Sequence, residues 1–160
     1  MLISESYREL QRELHRNPDY GTTGRKLAER IGEISDSRDI LDYGCGKRTL
    51  EDALGYGIKN YDPAIAGLEV AEAAEFVVCT DVMEHIEPEC LEAVLVDLRR
   101  VTKGVIYMTI ASRPAKKFLA DGRNAHLIQE GPRWWLERLA RHFEVEGCVL
   151  WLNGFEVICR

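Results

Sequence analysis

The 160 residues can bury one sizeable core, so we predict a single domain, with N-terminal helices in residues 1–36 and a core in 37–160. A net charge of −6 argues against general nucleic-acid binding, and no apolar run approaches the roughly 20 residues of a membrane helix. The five cysteines form no C-x-x-C pair and no metal-ligand spacing, which predicts a cytoplasmic protein, buried free thiols at Cys79, Cys148 and Cys159, and no metal site.

Two helices are predicted ahead of the first strand. In Ser4–His15 apolar residues recur at helical spacing, and Pro18 follows the end of the helix. Thr23 is placed to cap a second helix, whose apolar stripe consists of Leu27, Ala28, Ile31 and Ile34. Both helices are therefore predicted to be amphipathic.

A glycine-rich turn follows the first predicted strand. An apolar run leads into Asp42, Gly44 and Gly46 follow, and Thr49–Leu54 can form a helix. Glycine has no Cβ, so a ligand can lie directly on the backbone of such a turn. The helix behind it presents unpaired N–H groups that suit a carboxylate or phosphate. The turn is therefore a predicted ligand site.

The order Asp42-x-Gly44-x-Gly46 resembles the first motif of class I S-adenosylmethionine-dependent methyltransferases, D-x-G-x-G-x-G. Arg48 replaces the last glycine, and its side chain can either crowd the cofactor or turn outward. The alternative is a dinucleotide dehydrogenase, whose G-x-G-x-x-G motif would need its third glycine at Thr49. Such motifs seldom carry an acid two residues before the first glycine, which favours the methyltransferase.

The resemblance implies that S-adenosylmethionine lies on this turn, with Gly44 and Gly46 admitting its methionine part and Asp42 supporting its ammonium group and sulfonium. Tyr20 would be a lid residue, because helices before the first strand resemble the N-terminal additions that cover the cofactor. A tyrosine without that task is the alternative. The cofactor-binding residues that the resemblance implies are Asp42, Gly44, Cys45, Gly46, Asp62, Thr80 and Asp81.

A short second strand is predicted to end at Asp62, twenty residues past Asp42. In a βαβ unit this spacing places a carboxylate beside the cofactor ribose. An Asp-Pro turn signal is the alternative interpretation. Only Ala64–Glu75 separates this strand from the next, which leaves no room for the helix and third strand of a full methyltransferase sheet. We therefore predict a shortened sheet.

The third predicted strand carries a second resemblance. Phe76–Val82 is a nearly continuous apolar run, as expected of a parallel strand covered on both faces. It leads into Asp81-Val-Met-Glu-His85-Ile, which resembles the D-V-L-E-H-I sequence of many small-molecule methyltransferases. The resemblance implies that Asp81 and His85 flank the transferred methyl group, whereas a purely structural histidine is the alternative.

A helix is predicted to open at Glu87-Pro88-Glu89 and to stop at Gly104, and a parallel strand follows. The long loop Ala111–Gly131 then leaves the carboxyl edge of the sheet, where α/β proteins place ligands. Seven basic residues and one acid lie from Arg99 to Arg123, a pattern typical of helix-terminus charges and a solvated loop, and an anionic substrate facing this block is the second interpretation. For the loop itself, a packed segment with satisfied polar groups is the alternative to substrate binding. The predicted substrate-binding residues are Tyr20, Arg113, Asn124 and His126.

A final helix from Pro132 is predicted to precede strands at Glu144–Leu152 and Phe155–Cys159, joined by Asn153-Gly154. A parallel sheet closed by an antiparallel hairpin resembles the ending of the class I methyltransferase fold. We therefore predict an α/β, Rossmann-like three-layer sandwich with a mostly parallel sheet that is shortened around the third strand.

The resemblance implies an enzyme that transfers a methyl group from S-adenosylmethionine to a small acceptor, with an anionic acceptor as one candidate. Its predicted catalytic residues are His85, His126 and Asp81, since an imidazole near the acceptor can remove a proton. The alternative function is that of a binding or degenerate, non-catalytic protein with a regulatory role. The sequence does not indicate an oligomeric state.

Overall fold

The structure, a computed structural model, describes residues 1–160. It contains five α-helices, six strands and three short 3₁₀ turns. The helices are α1 (Glu5–His15), α2 (Ala28–Ile34), α3 (Thr49–Leu54), α4 (Leu91–Val101) and α5 (Pro132–Leu139). The strands are β1 (Ile40–Tyr43), β2 (Lys59–Tyr61), β3 (Ala74–Thr80), β4 (Thr102–Ala111), β5 (Val145–Trp151) and β6 (Gly154–Cys159). No helix combines the length and apolarity needed to cross a membrane.

All six strands form one sheet in the order β2-β1-β3-β4-β6-β5. The first four strands are parallel, and β6 joins β4 in antiparallel register, with Met108 opposite Val157. β5 closes the sheet as an antiparallel edge strand. The predicted α/β architecture, with a parallel sheet and an antiparallel C-terminal hairpin, is confirmed.

The sheet is shortened beside β2, as predicted. No helix or strand forms between Tyr61 and Ala74, and β2 is the edge of the sheet. The Lys59 ammonium of β2 joins this edge to the residues before β1 and β3 by donating to the Asp39 carboxylate (2.5 Å) and the Ala73 carbonyl (2.7 Å).

Two apolar clusters cover the two faces of the sheet, because successive side chains of a strand point to opposite faces. Leu41 and Val77 belong to a cluster of 23 buried residues that includes the apolar stripe of α4 and Trp135 of α5. Ile40 and Phe76 belong to a cluster on the opposite face that includes residues of α2 and α3. The result is the predicted three-layer sandwich.

The predicted helix end at Gly104 was wrong. α4 ends at Val101, and β4 already begins at Thr102, whose hydroxyl donates to the Leu98 carbonyl (2.7 Å). Gly104 lies within the strand, where a Cβ would meet the Glu75 carbonyl oxygen at 2.6 Å. Close approach of the neighbouring strand, rather than helix termination, therefore accounts for this glycine.

The C-terminal hairpin differs from the prediction in two details. Its turn consists of Leu152 and Asn153, and Gly154 is the first residue of β6, where a Cβ would lie 2.5 Å from the Ile110 carbonyl oxygen. Cys148 is exposed rather than buried, because β5 is an edge strand and six of its seven residues are exposed. Cys79 and Cys159 are buried as predicted.

Candidate functional site

A cavity of about 330 Å³ opens at the carboxyl ends of the parallel strands. Gly44, Asp62 and Asp81, which follow β1, β2 and β3, lie on its wall. α1 and the turn after it form a second wall, and the loop after β4 forms a third. Open α/β sheets bind their ligands at this edge, so the cavity is the candidate site.

Both glycines of the turn after β1 have a positive φ, a backbone conformation that residues with a Cβ rarely adopt. Gly44 has a φ of 84° and a Cβ there would collide with Val82. Gly46 has a φ of 50°, and its Cβ would lie 2.8 Å from the carbonyl oxygen of Gly21, which accepts the Lys47 N–H (3.1 Å). Both glycines line the cavity, and the contacts with Val82 and Gly21 leave no room for a side chain at either position.

Arg48 occupies the left-handed conformation of the glycine that it replaces, with φ 56° and ψ 29°. Its side chain is exposed and lines a separate surface depression beside Glu51 and Asn60. Of the two orientations open at the sequence level, the structure has the outward one, so the cation leaves the cavity free.

Asp62 is held with its carboxylate on the cavity wall. One oxygen accepts the Gly46 N–H (3.2 Å) and the other accepts the Ala64 N–H (2.9 Å), although the side chain is nearly inaccessible to solvent. Each carboxylate oxygen keeps a lone pair for a further donor. His15, which sequence reasoning missed, brings Nε2 to 3.7 Å from Asp62, and no group of the protein bonds its buried Nδ1.

Asp42 lies behind the turn rather than on the cavity wall and is 5% exposed. Burial, together with the nearby carboxylates of Asp62 and Glu51, raises the pKa of Asp42 to about 7. The three acids make this part of the site favourable for a cation. We call Gly44, Gly46 and Asp62 the acidic side of the cavity.

Asp81 follows β3 in a strained backbone conformation, with a φ of 58°. Its N–H donates to the Thr109 carbonyl of β4 (3.1 Å), and its carboxylate accepts the Thr23 hydroxyl (3.1 Å). The sequence predicted that Thr23 caps α2, and this was wrong. Thr23 contacts the site instead, and α2 has Leu27 at its N-cap with no side-chain cap bond. Strained residues persist where the surrounding structure holds them, and often do so at functional sites.

His85 and His126 meet beside Asp81, with their ring centroids 4.8 Å apart and their planes perpendicular. The Nδ1–H of His85 donates to the Ala125 carbonyl (2.7 Å), and that of His126 donates to the Arg113 carbonyl (2.6 Å). Because carbonyls only accept, Nδ1 carries a proton in each ring, and the neutral form of each ring has its lone pair on Nε2. Burial lowers the pKa of His85 to about 4, so it is neutral near pH 7.

A chain of hydrogen bonds attaches α1 to the site. The Tyr20 hydroxyl donates to Gln11 (2.9 Å), the Gln11 amide donates to the Tyr7 hydroxyl (2.5 Å), and that hydroxyl donates to the His85 carbonyl (2.5 Å). At the start of α1, the Ser4 N–H and hydroxyl both donate to Glu87 (2.8 and 2.6 Å). The N-terminal helix is thus fixed to the segment that carries His85.

The loop between β4 and α5 supplies the opposite wall. Three cations line the cavity here, and we call Arg113, Lys116 and Lys117 its basic side. The Lys117 ammonium is buried, has no hydrogen-bond partner in the protein, and lies 5.2 Å from the centroid of the Tyr20 ring. The Asn124 amide bonds only the loop itself, donating to the Ala115 carbonyl and accepting the Ala115 and His126 N–H groups.

Most of the predicted site residues meet in the cavity. Eight lie on its wall, namely Tyr20, Gly44, Gly46, Asp62, Asp81, His85, Arg113 and His126. Four do not, namely Asp42, Cys45, Thr80 and Asn124. The Cys45 thiol and the Thr80 side chain are buried, and Asn124 shapes the loop instead of reaching the cavity.

Sequence reasoning also missed Glu84. This side chain is fully buried, and burial with the nearby Asp81 raises its pKa to about 8. Its Oε1 accepts the Ala111 N–H (2.7 Å), so a neutral acid ties the segment after β3 to the end of β4. Its position in the Asp81–His85 motif was a usable signal, whereas His15 and Lys117 lie in segments without a motif.

Comparison with known proteins identifies a family. A family model described as a methyltransferase domain matches residues 5–150. No curated protein sequence matches the chain.

Several solved structures share the fold. The 1,6-didemethyltoxoflavin-N1-methyltransferase of Burkholderia thailandensis, which holds 1,6-didemethyltoxoflavin and S-adenosylhomocysteine, is 13% identical with a TM-score of 0.69, over 100% of this chain and 91% of that one. DhpI with S-adenosylhomocysteine is 13% identical with a TM-score of 0.61, over 99% and 98% of the two chains. The PH0226 protein of Pyrococcus horikoshii is 16% identical with a TM-score of 0.61, over 91% and 92%.

Proposed function

Because the chain belongs to the methyltransferase domain family, we propose that it transfers a methyl group from S-adenosylmethionine to a small, anionic acceptor. The observation that carries this proposal is the division of one cavity into an acidic and a basic side. The cofactor is cationic at its ammonium and sulfonium groups, which matches the acidic side. The basic side then remains for a negatively charged acceptor.

The acidic side fits the cofactor. Gly44 and Gly46 leave the backbone bare where the methionine part would lie. Asp62, already oriented by two N–H groups, has lone pairs left for the two ribose hydroxyls. Asp42, whose pKa of about 7 leaves it partly ionised near neutral pH, adds a partial negative charge from behind the turn without occupying space in the cavity.

The cofactor supplies a methyl group that its sulfonium already activates, so the protein has mainly to position the acceptor. Positioning of this kind contributes up to roughly 7–11 kcal/mol in ideal cases. His85 and His126, with Nδ1–H groups anchored to carbonyls, present their Nε2 lone pairs beside Asp81. In our proposal they orient a hydroxyl or amine of the acceptor and accept its proton. Asn124 acts indirectly, by fixing the loop beside His126.

The basic side supports an anionic acceptor. A buried ammonium without a hydrogen-bond partner is costly to a folded protein, so Lys117 suggests a ligand group that pairs with it. Arg113 and Lys116 are exposed and would contribute at the rim. A carboxylate or phosphate on the acceptor is the chemistry that this side would recognise.

Calorimetry separates the candidate functions. We expect S-adenosylmethionine, and not NADH, to bind the wild-type protein. Asp62→Ala should weaken binding by about 100-fold, since it removes two hydrogen bonds to a charged group. Asp62→Asn, which keeps one acceptor oxygen, should give a smaller loss, and Asp36→Ala at an exposed position serves as the matched control.

Turnover is measured as S-adenosylhomocysteine release with a panel of small carboxylated and phosphorylated alcohols and amines. Methylation that is lost in His126→Gln supports the enzyme. Cofactor binding without any turnover would favour the non-catalytic alternative, and tight NADH binding would restore the dehydrogenase interpretation.

A further inference from the structure

Asp81, His85 and His126 have a property that methyl transfer does not require. Each offers one potential metal-ligand atom, and these atoms all lie within 4.8 Å of one another. The three side chains come from two segments, the one after β3 and the loop after β4, and all three line the cavity. Sequence spacing gave no sign of this group, because the two histidines are 41 positions apart in the chain.

The tautomer and the orientation of both imidazoles are already those of metal ligands. Metal-bound histidines usually donate their second ring N–H to a carbonyl or carboxylate, which fixes the tautomer and the orientation of the ring. Here both Nδ1–H groups already donate to backbone carbonyls, of Ala125 and Arg113. Each Nε2 is thus left unprotonated and accepts no hydrogen bond from the protein.

The carboxylate is held in the same way. The Thr23 hydroxyl donates to one oxygen of Asp81 (3.1 Å). The left-handed backbone at Asp81 directs the residue into the cavity although it costs conformational energy. Hydrogen bonding of a ligating carboxylate by a neighbouring group is common in metal sites.

We infer that Asp81, His85 and His126 form a three-ligand site for a divalent transition-metal cation such as Zn²⁺ or Co²⁺. Imidazole favours these ions over Mg²⁺ and Ca²⁺, which prefer oxygen ligands. Tetrahedral bonds of about 2.1 Å separate ligand atoms by about 3.4 Å. A side-chain movement of about an ångström therefore suffices, and exposed Asp81 is free to make it.

A cation held by these three residues would be open to further ligands, because all three side chains line the cavity. Its role there rests on the proposed function: an acceptor oxygen bound to the cation would lose its proton more readily, as metal-bound water does, and the proton would pass to water in the cavity. The imidazoles would then serve as ligands rather than as bases. The basic side would still pair with the acceptor's anionic group, at the rim and at Lys117.

The test uses untagged, chelator-treated protein titrated with Co²⁺ alone. We expect saturable binding of one ion per chain with visible ligand-field bands, which Zn²⁺ displaces. His126→Gln and His85→Gln should each weaken binding by at least about 10-fold. His142→Gln is the matched control, because His142 pairs with Glu92 away from the cavity.

Absence of saturable Co²⁺ or Zn²⁺ binding would overturn the inference, and so would equal binding by the wild type and both site variants. Calorimetry with S-adenosylmethionine in EDTA keeps the two proposals apart. Cofactor binding without metal binding removes only the cation site. Metal binding without cofactor binding removes only the methyltransferase proposal.

Discussion

The acidic and basic sides of the cavity are held in place by different structural elements. The acidic side follows β1 and β2, where short turns and backbone hydrogen bonds hold Gly46 and Asp62. The basic side lies in the loop after β4, which has no helix or strand and only a single bridge between Phe118 and Asn124. One side is thus fixed by the sheet, and the other by hydrogen bonds within the loop and by bonds to the segment after β3, such as that of the Ile128 N–H to the Glu84 carbonyl (3.0 Å). The difference suggests a constant cofactor site and an adjustable acceptor site.

The largest effect that we expect concerns Asp42, behind the acidic side. Burial beside Asp62 and Glu51 raises its pKa to about 7, above the value of about 3.9 in an unfolded chain. Its protonated form therefore stabilises the fold fully below about pH 4, and this contribution is lost as the pH rises through 7. Asp42→Asn should remove that loss and raise the free energy of unfolding at pH 8 by as much as about 4 kcal/mol.

Urea denaturation at a series of pH values measures this effect. Asp52→Asn, at an exposed position of α3, is the control and should keep the wild-type pH profile. Identical profiles for Asp42→Asn and the wild type would mean that Asp42 is charged in the folded protein. The acidic side would then differ electrostatically from our account.

A smaller effect tests the basic side. Lys117→Met should raise the free energy of unfolding by about 1–2 kcal/mol, because it removes a buried ammonium that lacks a hydrogen-bond partner. Part of the gain is offset by the lost contact with the Tyr20 ring. The same variant should lose any thermal stabilisation of the wild type by phosphate or sulfate.

Lys116→Met is the matched control for this prediction, since the neighbouring Lys116 is exposed. It should change neither the free energy of unfolding nor the response to anions by a measurable amount. A destabilised Lys117→Met protein would show instead that Lys117 serves the fold rather than a ligand.

The smallest effect concerns Arg48, which holds the left-handed conformation of a glycine at the start of α3. Arg48→Gly should stabilise the protein by about 0.5–1 kcal/mol, because relief of backbone strain exceeds the added entropy of the unfolded chain. Affinity for S-adenosylmethionine should stay unchanged, since the side chain lies outside the cavity.

Arg25→Gly provides a control of opposite sign. Arg25 is also exposed, but it lies in a 3₁₀ turn without a positive φ, so glycine there should destabilise the protein by about 1 kcal/mol. Thermal denaturation of both variants makes the comparison. Loss of cofactor affinity in Arg48→Gly would show that Arg48 contributes to the acidic side after all.

The acidic side was largely predictable because its determinants are local. The spacing of Asp42, Gly44 and Gly46 reports a strand and its turn, and Asp62 follows at the distance that a βαβ unit requires. The glycines that were misread, Gly104 and Gly154, are set by backbone from other strands, at Glu75 and Ile110, and no local pattern records such contacts.

The basic side and the group formed by Asp81, His85 and His126 were harder to predict from the sequence. His85 lies in a motif, but its partner His126 approaches only when the loop after β4 folds back across the sheet. Lys117 has no spacing that distinguishes it from Lys116, and only tertiary burial separates the two. His15 likewise meets Asp62 through the packing of α1.

The central claim is that a single cavity holds the adenosyl cofactor on its acidic side and the acceptor on its basic side. A crystal structure of the protein soaked with S-adenosylhomocysteine tests it most directly. We expect the ribose hydroxyls within hydrogen-bonding distance of Asp62, the amino-acid part on Gly44 and Gly46, and the sulfur directed toward His85 and His126. An empty cavity, or a ligand bound elsewhere, would contradict the account.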